Sequence, residues 1–190
     1  MSELPPEAGT TLTRLARQAI ARRLGLADGS ADEPQRPPDW LLADGATFVT
    51  LTIDGDLRGC IGSLQAYQPL GDDVAQNAQS AAFRDPRFPP LTRAEFNRVA
   101  IEVSVLAPPQ PMTFTSEQDA LDQLRPGVDG VILVAGGHRA TFLPQVWEDL
   151  PDKRLFLAHL KRKAGLRPDF WDDSVRLDRY GVTAFHEGAE

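Results

Sequence analysis

The segment ATFVTLTIDGDLRGCIGS, Ala46 to Ser63, sets the class of the whole chain. Two runs of alternating apolar residues flank Asp54-Gly55, a dipeptide suited to the two-residue turn that joins antiparallel strands. The segment therefore reads as a β-hairpin pairing residues 47–53 with 57–63. Strict alternation sends Leu57, Gly59 and Ile61 to one face and Arg58, Cys60 and Gly62 to the other. Cys60 is the only cysteine, with a glycine on one side and Arg58 two residues away on the same face.

Outward from the hairpin, helix and strand patterns alternate. TTLTRLARQAIARRLG places Leu12, Leu15, Ala16, Ala19, Ile20 and Leu24 at helical spacing, with Thr10 or Thr11 as N-cap and Gly25 as the stop. ADGSADEPQRPPDW, residues 27–40, is a polar loop rich in proline and glycine. PLGDDVAQNAQSAAFRD is a helix with a small apolar face of Leu70, Val74, Ala78, Ala81 and Ala82. Asp85-Pro86 ends it, because a residue before proline avoids helical dihedrals. LTRAEF carries a capping box, Thr92 with Glu95. RVAIEVSVL alternates, with Val99, Ile101, Val103 and Val105 facing one way and Glu102, Ser104 and Leu106 the other.

The C-terminal half repeats the scheme. SEQDALDQL is a short helix, and GVILVAGGHRATFL is a second hairpin around Gly136-Gly137. PDKRLFLAHLKRKAGL is a helix that turns Leu155, Phe156 and Leu160 inward and ends its last turn in Lys161, Arg162 and Lys163, which complement the helix dipole. SVRLDRYGVTAFHE reads as one closing strand. Hairpins with flanking helices give an α+β class with a mixed or antiparallel sheet.

Composition narrows the function. A net charge of -7 with no dense basic run disfavours nucleic acid and anionic membranes as partners. No apolar run approaches the roughly 20 residues that span a bilayer. The N-terminal stretch lacks the basic and apolar regions of a secretory signal, and a lone cysteine forms no internal disulfide, so a cytoplasmic location is expected. His138, His159 and His186 show no paired spacing with Cys60, and no metal or cofactor is expected.

LRGCIG (Leu57–Gly62), AFRDPRFPPLT (Ala82–Thr92), ATFLPQVW (Ala140–Trp147) and HLKRKAGL (His159–Leu166) together resemble the AMMECR domain family, whose bacterial and archaeal members are called protein A of the AmmeMemoRadiSam system. The resemblance spans the chain from about residue 10 to the C-terminus. It implies one domain over residues 10–187 after a disordered stretch at 1–9, a larger and a smaller lobe, and a cleft near the LRGCIG hairpin. It implies no settled activity. The system name associates the family with a Memo-type protein and a radical S-adenosylmethionine enzyme as partners. Many members carry Gly-x-His-Gly where this chain has GVDG, with Asp129 at the histidine position.

Candidate site residues each carry two readings. Cys60 is either a reactive thiol whose thiolate Arg58 favours, or a small buried apolar residue. Arg58 either grips a carboxylate or phosphate ligand or forms a structural pair, with Glu102 as the candidate partner. Gly59 lets a ligand or a packed element approach the backbone. Asp85 and Arg87 sit in a loop stiffened by prolines, as site residues or as local turn chemistry. Thr141 and Gln145 offer neutral donors and acceptors to the cleft or to a strand end. With no triad, metal cluster or cofactor loop, the expected function is a module binding a small molecule or partner protein beside LRGCIG. The alternative is an enzyme using Cys60 and Arg58 on a small-molecule substrate.

Overall fold

The structure, a computed structural model, describes residues 4–26 and 36–188. Residues 27–35 of the polar loop and the first three residues of the N-terminal stretch lie outside the described residues. The chain divides into two compact units, a larger one made of residues 1–106 with 183–190 and a smaller one of residues 107–182.

In the larger unit the hairpin forms as its residues dictate. β2 (Thr47–Ile53) and β3 (Asp56–Gly62) pair antiparallel, and Asp54 and Gly55 take positive φ of 55° and 90°, the turn that matches strand twist. β5 (Val99–Leu106) pairs antiparallel on the other side of β2, and β10 (Val182–His186) lies beside β5, giving the order β10-β5-β2-β3. α1 (Ala8–Leu24) and α3 (Leu70–Phe83) pack on one face of this sheet. They cover Val49 and Leu51 of β2 and Val99, Ile101, Val103 and Val105 of β5 with Leu12, Ala16, Ile20, Val74, Ala78 and Ala81. Burying each large aliphatic side chain contributes about 1.5–3 kcal/mol. A one-turn helix, α2 (Asp39–Leu42), and a short ladder of β1 (Asp44–Gly45) with β4 (Gln68–Pro69) complete this part. α2 begins inside the segment read as loop.

α1 starts at Ala8, with Glu7 as N-cap, ahead of the Thr10–Thr11 cap expected from sequence. Leu4 packs against the core, so residues 4–9 are part of the fold rather than a disordered stretch. Gly25 closes the helix in the left-handed conformation (φ 65°), as expected.

Two features fasten α3 to the hairpin. Its small residues let the helix backbone lie on β3, so that a Cβ at Gly59 would stand 2.2 Å from the Ala81 carbonyl oxygen. At the helix N-terminal end, fully buried Asp73 accepts hydrogen bonds from the Thr47 amide (2.8 Å) and hydroxyl (2.7 Å), the Ser63 hydroxyl (2.6 Å), Gln68 (3.0 Å) and Asn77 (2.9 Å). The carboxylate thereby meets the donors that its burial demands.

The smaller unit holds the sheet β6-β9-β7-β8, formed by β6 (Gln110–Pro111), β7 (Gly130–Ala135), β8 (His138–Phe142) and β9 (Arg176–Tyr180), with every pairing antiparallel. α5 (Glu117–Gln123), α6 (Val146–Asp149) and α7 (Lys153–Lys163) supply its core with Leu121, Trp147, Phe156, Leu157 and Leu160. Trp147 stacks on Phe156 at 3.6 Å between ring centres.

Three sequence expectations change here. Leu155 is 55% exposed, and Leu157 takes the inward place instead. Lys161 does not decorate a helix end: it is fully buried, ion-paired with Glu117 at 2.7 Å and set over the Trp171 ring. The closing strand is two strands, broken at Gly181, and β9 and β10 join different sheets.

The Gly59 contact makes a differential prediction. Gly59→Ala drives a methyl into the backbone of α3 and destabilises the protein by about 3 kcal/mol or more. Gly71→Ala, in the first turn of α3 where it faces α2, meets Leu41 only at ordinary contact distance (3.6 Å) and gains about 0.5 kcal/mol of helix propensity. Denaturant unfolding of both variants measures the contrast.

Candidate functional site

β3 is an edge strand, and its free edge is closed by side chains rather than by another strand. α3 ends at Phe83 and the chain turns at Asp85-Pro86, bringing Asp85 and Arg87 alongside β3. Asp85 accepts the Cys60 amide at 2.9 Å, and Arg87 donates to the Cys60 carbonyl at 3.2 Å. The two side chains pair with each other at 2.7 Å. An acceptor and a donor thus take the place of a neighbouring strand at Cys60, satisfying groups that would otherwise invite edge pairing. The Arg87 guanidinium bonded to Asp85 holds that carboxyl well below the usual carboxylate range. Burial opposes this, while the Cys60 and Arg87 backbone amides add to it.

The ladder contains an irregularity that alternation alone does not show. Leu51 faces Gly59 and Thr52 faces Leu57, which leaves Arg58 unpaired in a β-bulge. Thr50 and Thr52 share a face of β2, so their partners Cys60 and Leu57 share it too. Leu57 therefore lies on the face of Cys60, not opposite it.

The bulge re-aims Arg58 along the strand edge. Its Nε donates to Glu95 Oε1 at 2.9 Å, and its Nη2 to the Pro89 carbonyl at 3.0 Å and Glu95 Oε2 at 3.3 Å. Glu95 is also the capping-box residue of α4 (Arg93–Phe96), accepting the Thr92 amide at 2.8 Å. The carboxylate that orients Arg58 is thus Glu95 and not Glu102. Among the described residues, Arg58 Nη1 is a buried polar atom without a hydrogen-bond partner. Phe88 lies between the two arginines, with its ring 5.9 Å from the Arg58 guanidinium carbon and 5.5 Å from that of Arg87.

On the face of the sheet away from the helices, the register aligns Cys60, Thr50 and Glu102 in one row across three strands. Thr50 donates to the Cys60 sulfur at 3.4 Å, and Ser104 donates to Glu102 at 3.1 Å. His186 of β10 extends the row, with its Nδ1 3.4 Å from Glu102. Cys60 is half-buried. At strand spacing, Cys60 and Glu102 stand about 10 Å apart.

The structure therefore brings Arg58, Gly59, Cys60, Asp85 and Arg87 together at the strand edge, with Glu102 on the adjoining sheet face. Thr141 and Gln145 belong to the smaller unit. There the Thr141 hydroxyl donates to the Val131 carbonyl and contacts Tyr180, while Gln145 is exposed ahead of α6. Asp129 is buried and accepts both the Arg125 amide (2.8 Å) and its guanidinium (2.6 Å), a structural task within its own turn. Glu95, Thr50 and His186 are the additions that sequence reasoning missed. The capping box in LTRAEF marks Glu95 as an ordered carboxylate, but nothing local ties it to Arg58. Among the described residues no group of three or more His, Cys, Asp or Glu could hold a metal ion. None of the described helices is long and apolar enough to cross a membrane.

Fold and motif together define an AMMECR-type α+β protein, and comparison makes the class definite. Residues 13–185 match the model of the AMMECR1 family, and the chain belongs to it. A protein of Methanothermobacter thermautotrophicus is 40% identical over 186 residues, covering 97% of this chain and 96% of that protein. Protein MJ0810 of Methanocaldococcus jannaschii is 36% identical, covering 98% and 94%. The crystal structure of the uncharacterized protein PH0010 from Pyrococcus horikoshii superposes with a TM-score of 0.85 at 35% identity, covering 97% of this chain and 94% of that one.

The Arg58–Glu95 pair makes the fold sensitive to acid. Arg58's hydrogen bonds, followed by the Thr92 amide, hold the Glu95 carboxyl down at about 2, below its ordinary 4.5. A carboxyl lowered in the folded state contributes its full stability above its ordinary value and loses it as pH falls through the folded one. Wild-type stability therefore declines from pH 4.5 toward 2, and Glu95→Gln, already without the charge, shows a flatter profile over that window. Unfolding free energies measured across the pH series test the difference.

Proposed function

We propose that this AMMECR1-family chain is a binding module, taking a small polar molecule or a segment of a partner protein on the open sheet face around Cys60. One observation carries the reading: architecture accounts for most of the LRGCIG motif. Gly59 admits α3, Arg58 is held by Glu95 and Pro89, and the Cys60 peptide is clamped by Asp85 and Arg87. What architecture leaves over is the half-buried Cys60 sulfur and the row Thr50, Glu102 and His186 beside it, together with the outer part of Arg87, whose side chain is 53% exposed.

Binding suits these groups better than catalysis. A nucleophilic thiol needs a base within hydrogen-bond reach. The partner of the Cys60 sulfur is a threonine hydroxyl that donates to it. Glu102, two strands away, leaves a span of about 10 Å that a small ligand can bridge across Thr50. Preorganisation is built in, because the face rests on a strand clamped at both its backbone groups. The resemblance of the sequence to AmmeMemoRadiSam protein A supports a Memo-type protein and a radical S-adenosylmethionine enzyme as the partners, and the single cysteine supports a cytoplasmic setting.

Two substitutions at one position separate binding from thiol chemistry. Cys60→Ser preserves the surface and removes the thiol, whereas Cys60→Trp fills the open face. Native mass spectrometry of protein purified from its own cells reads bound metabolites and Memo-type or radical-enzyme partners together. The expected result is retention with Cys60→Ser and loss with Cys60→Trp, both variants unfolding cooperatively. Loss with Cys60→Ser as well assigns the site to thiol chemistry and refutes the binding reading.

A further inference from the structure

Besides the open face around Cys60, the larger unit carries a concave site that shares His186 with it. It lies between the N-terminal half of α1 and residues 186–188, with a volume of about 410 Å³, and is lined by Thr10, Thr13, Arg14, Arg17, Gln18 and the segment His186–Gly188. That volume falls in the range of small-molecule sites. Its walls are fixed. Phe185 presses against the first turn of α1, where a Cβ on Gly9 would stand 2.9 Å from the Phe185 ring. Arg17 ties the helix to the strand by pairing with Glu187 and donating to the carbonyls of Phe96 (3.0 Å) and Val99 (2.6 Å).

Charge in this pocket is unevenly satisfied. Arg17 and Glu187 neutralise each other, and the Arg17 guanidinium also lies over the Phe96 ring. His186 contacts Glu102 on the far side. Arg14 is different: it is exposed, and among the described residues it makes no hydrogen bond and no ion pair. Thr10, Arg14 and Gln18 recur at intervals of four, so they form one stripe of α1 along the pocket wall. α1 has no acidic residue in its first turn, and of its four arginines Arg14 and Arg17 line the pocket, Arg17 balanced by Glu187. A guanidinium flanked by a hydroxyl and an amide is a donor-rich setting for an oxyanion.

We propose that this pocket binds a small oxyanion, a carboxylate or phosphate group of a soluble metabolite, with Arg14 as the principal contact and Thr10 and Gln18 as neutral donors. Arg17 acts as a positioning residue, since its own donors are engaged by Glu187, Phe96 and Val99.

The test is a titration of the isotope-labelled full chain with inorganic phosphate and, separately, with acetate, followed by nuclear magnetic resonance. The amide signals of Thr10, Arg14 and Gly188 are expected to move in a saturable way with at least one probe, and the tighter probe names the class. Arg14→Ala is expected to weaken that binding by about tenfold or more, and Arg14→Lys to recover part of it. Arg22→Ala removes an exposed arginine of the same helix outside the pocket and is expected to leave the affinity unchanged. Because Arg14 is exposed, its removal spares the core, and the unchanged spectrum of the remaining residues verifies the fold. The proposal is overturned if neither probe gives saturable shifts at those three residues. It is equally overturned if Arg14→Ala binds as tightly as Arg22→Ala.

Discussion

The structure of the larger unit depends on the contact between two backbones, where the carbonyl of Ala81 in α3 lies on β3 at Gly59. A side chain at Gly59 would hold the helix off the sheet. With it held close, the turn after α3 falls beside the free edge of β3, within reach of the Cys60 peptide. The stiffness of DPRFPPL then matters, because prolines lower the entropy lost when the loop is fixed in place. Asp85 and Arg87 can meet the strand, and Glu95 can meet Arg58, only because the helix has first delivered the loop to that edge. One close approach thus leads in sequence to the clamp, the bulge and the half-buried Cys60 on the open face.

The clamp substitutes for a strand at a single residue pair, and this has consequences for the motif. An edge strand ordinarily leaves alternate amides and carbonyls facing solvent. Here the Asp85–Arg87 pair offers an acceptor and a donor in the spacing of a neighbouring backbone. The pairing is charge-assisted and therefore stronger than a neutral backbone pair. It is also nearly buried at Asp85, whose side chain is 2% exposed, while Arg87 reaches solvent. The arrangement fixes the Cys60 backbone and leaves its side chain to the open face. A motif with three unusual residues, Arg58, Gly59 and Cys60, is in this light mainly a device for shaping an edge.

The hairpins were legible in the sequence because their information is local. Asp54-Gly55 and Gly136-Gly137 specify the turns, and alternation specifies the inward faces of β2 and β5. The capping box at Thr92 and Glu95 was legible for the same reason. What escaped reading depends on residues far apart in the chain. The partner of Arg58 lies 37 positions away, and alternation pointed instead to Glu102. The bulge at Arg58 leaves no mark in composition, so Leu57 was placed on the wrong face. Lys161 stands beside Arg162 and Lys163 and looks like a surface residue until Glu117, 44 positions earlier, is brought to it. Asp73 likewise looks like an ordinary first-turn acid, although it gathers five donors from Thr47, Ser63, Gln68 and Asn77. In SVRLDRYGVTAFHE the apolar pattern continues across Gly181, and only sheet membership separates β9 from β10.

The account rests on the claim that side chains, not a strand, hold the edge at Cys60 and make the surface around it a rigid platform. Amide hydrogen exchange at Cys60 measures this most directly. If the Asp85 carboxylate holds that amide as the geometry states, Cys60 exchanges as slowly as the ladder amides of Val49 and Leu51, through global unfolding. In Asp85→Ala it exchanges at the rate of an exposed edge amide while Val49 and Leu51 stay protected. Fast exchange of Cys60 in the wild-type protein, with the rest of the sheet protected, would contradict the claim.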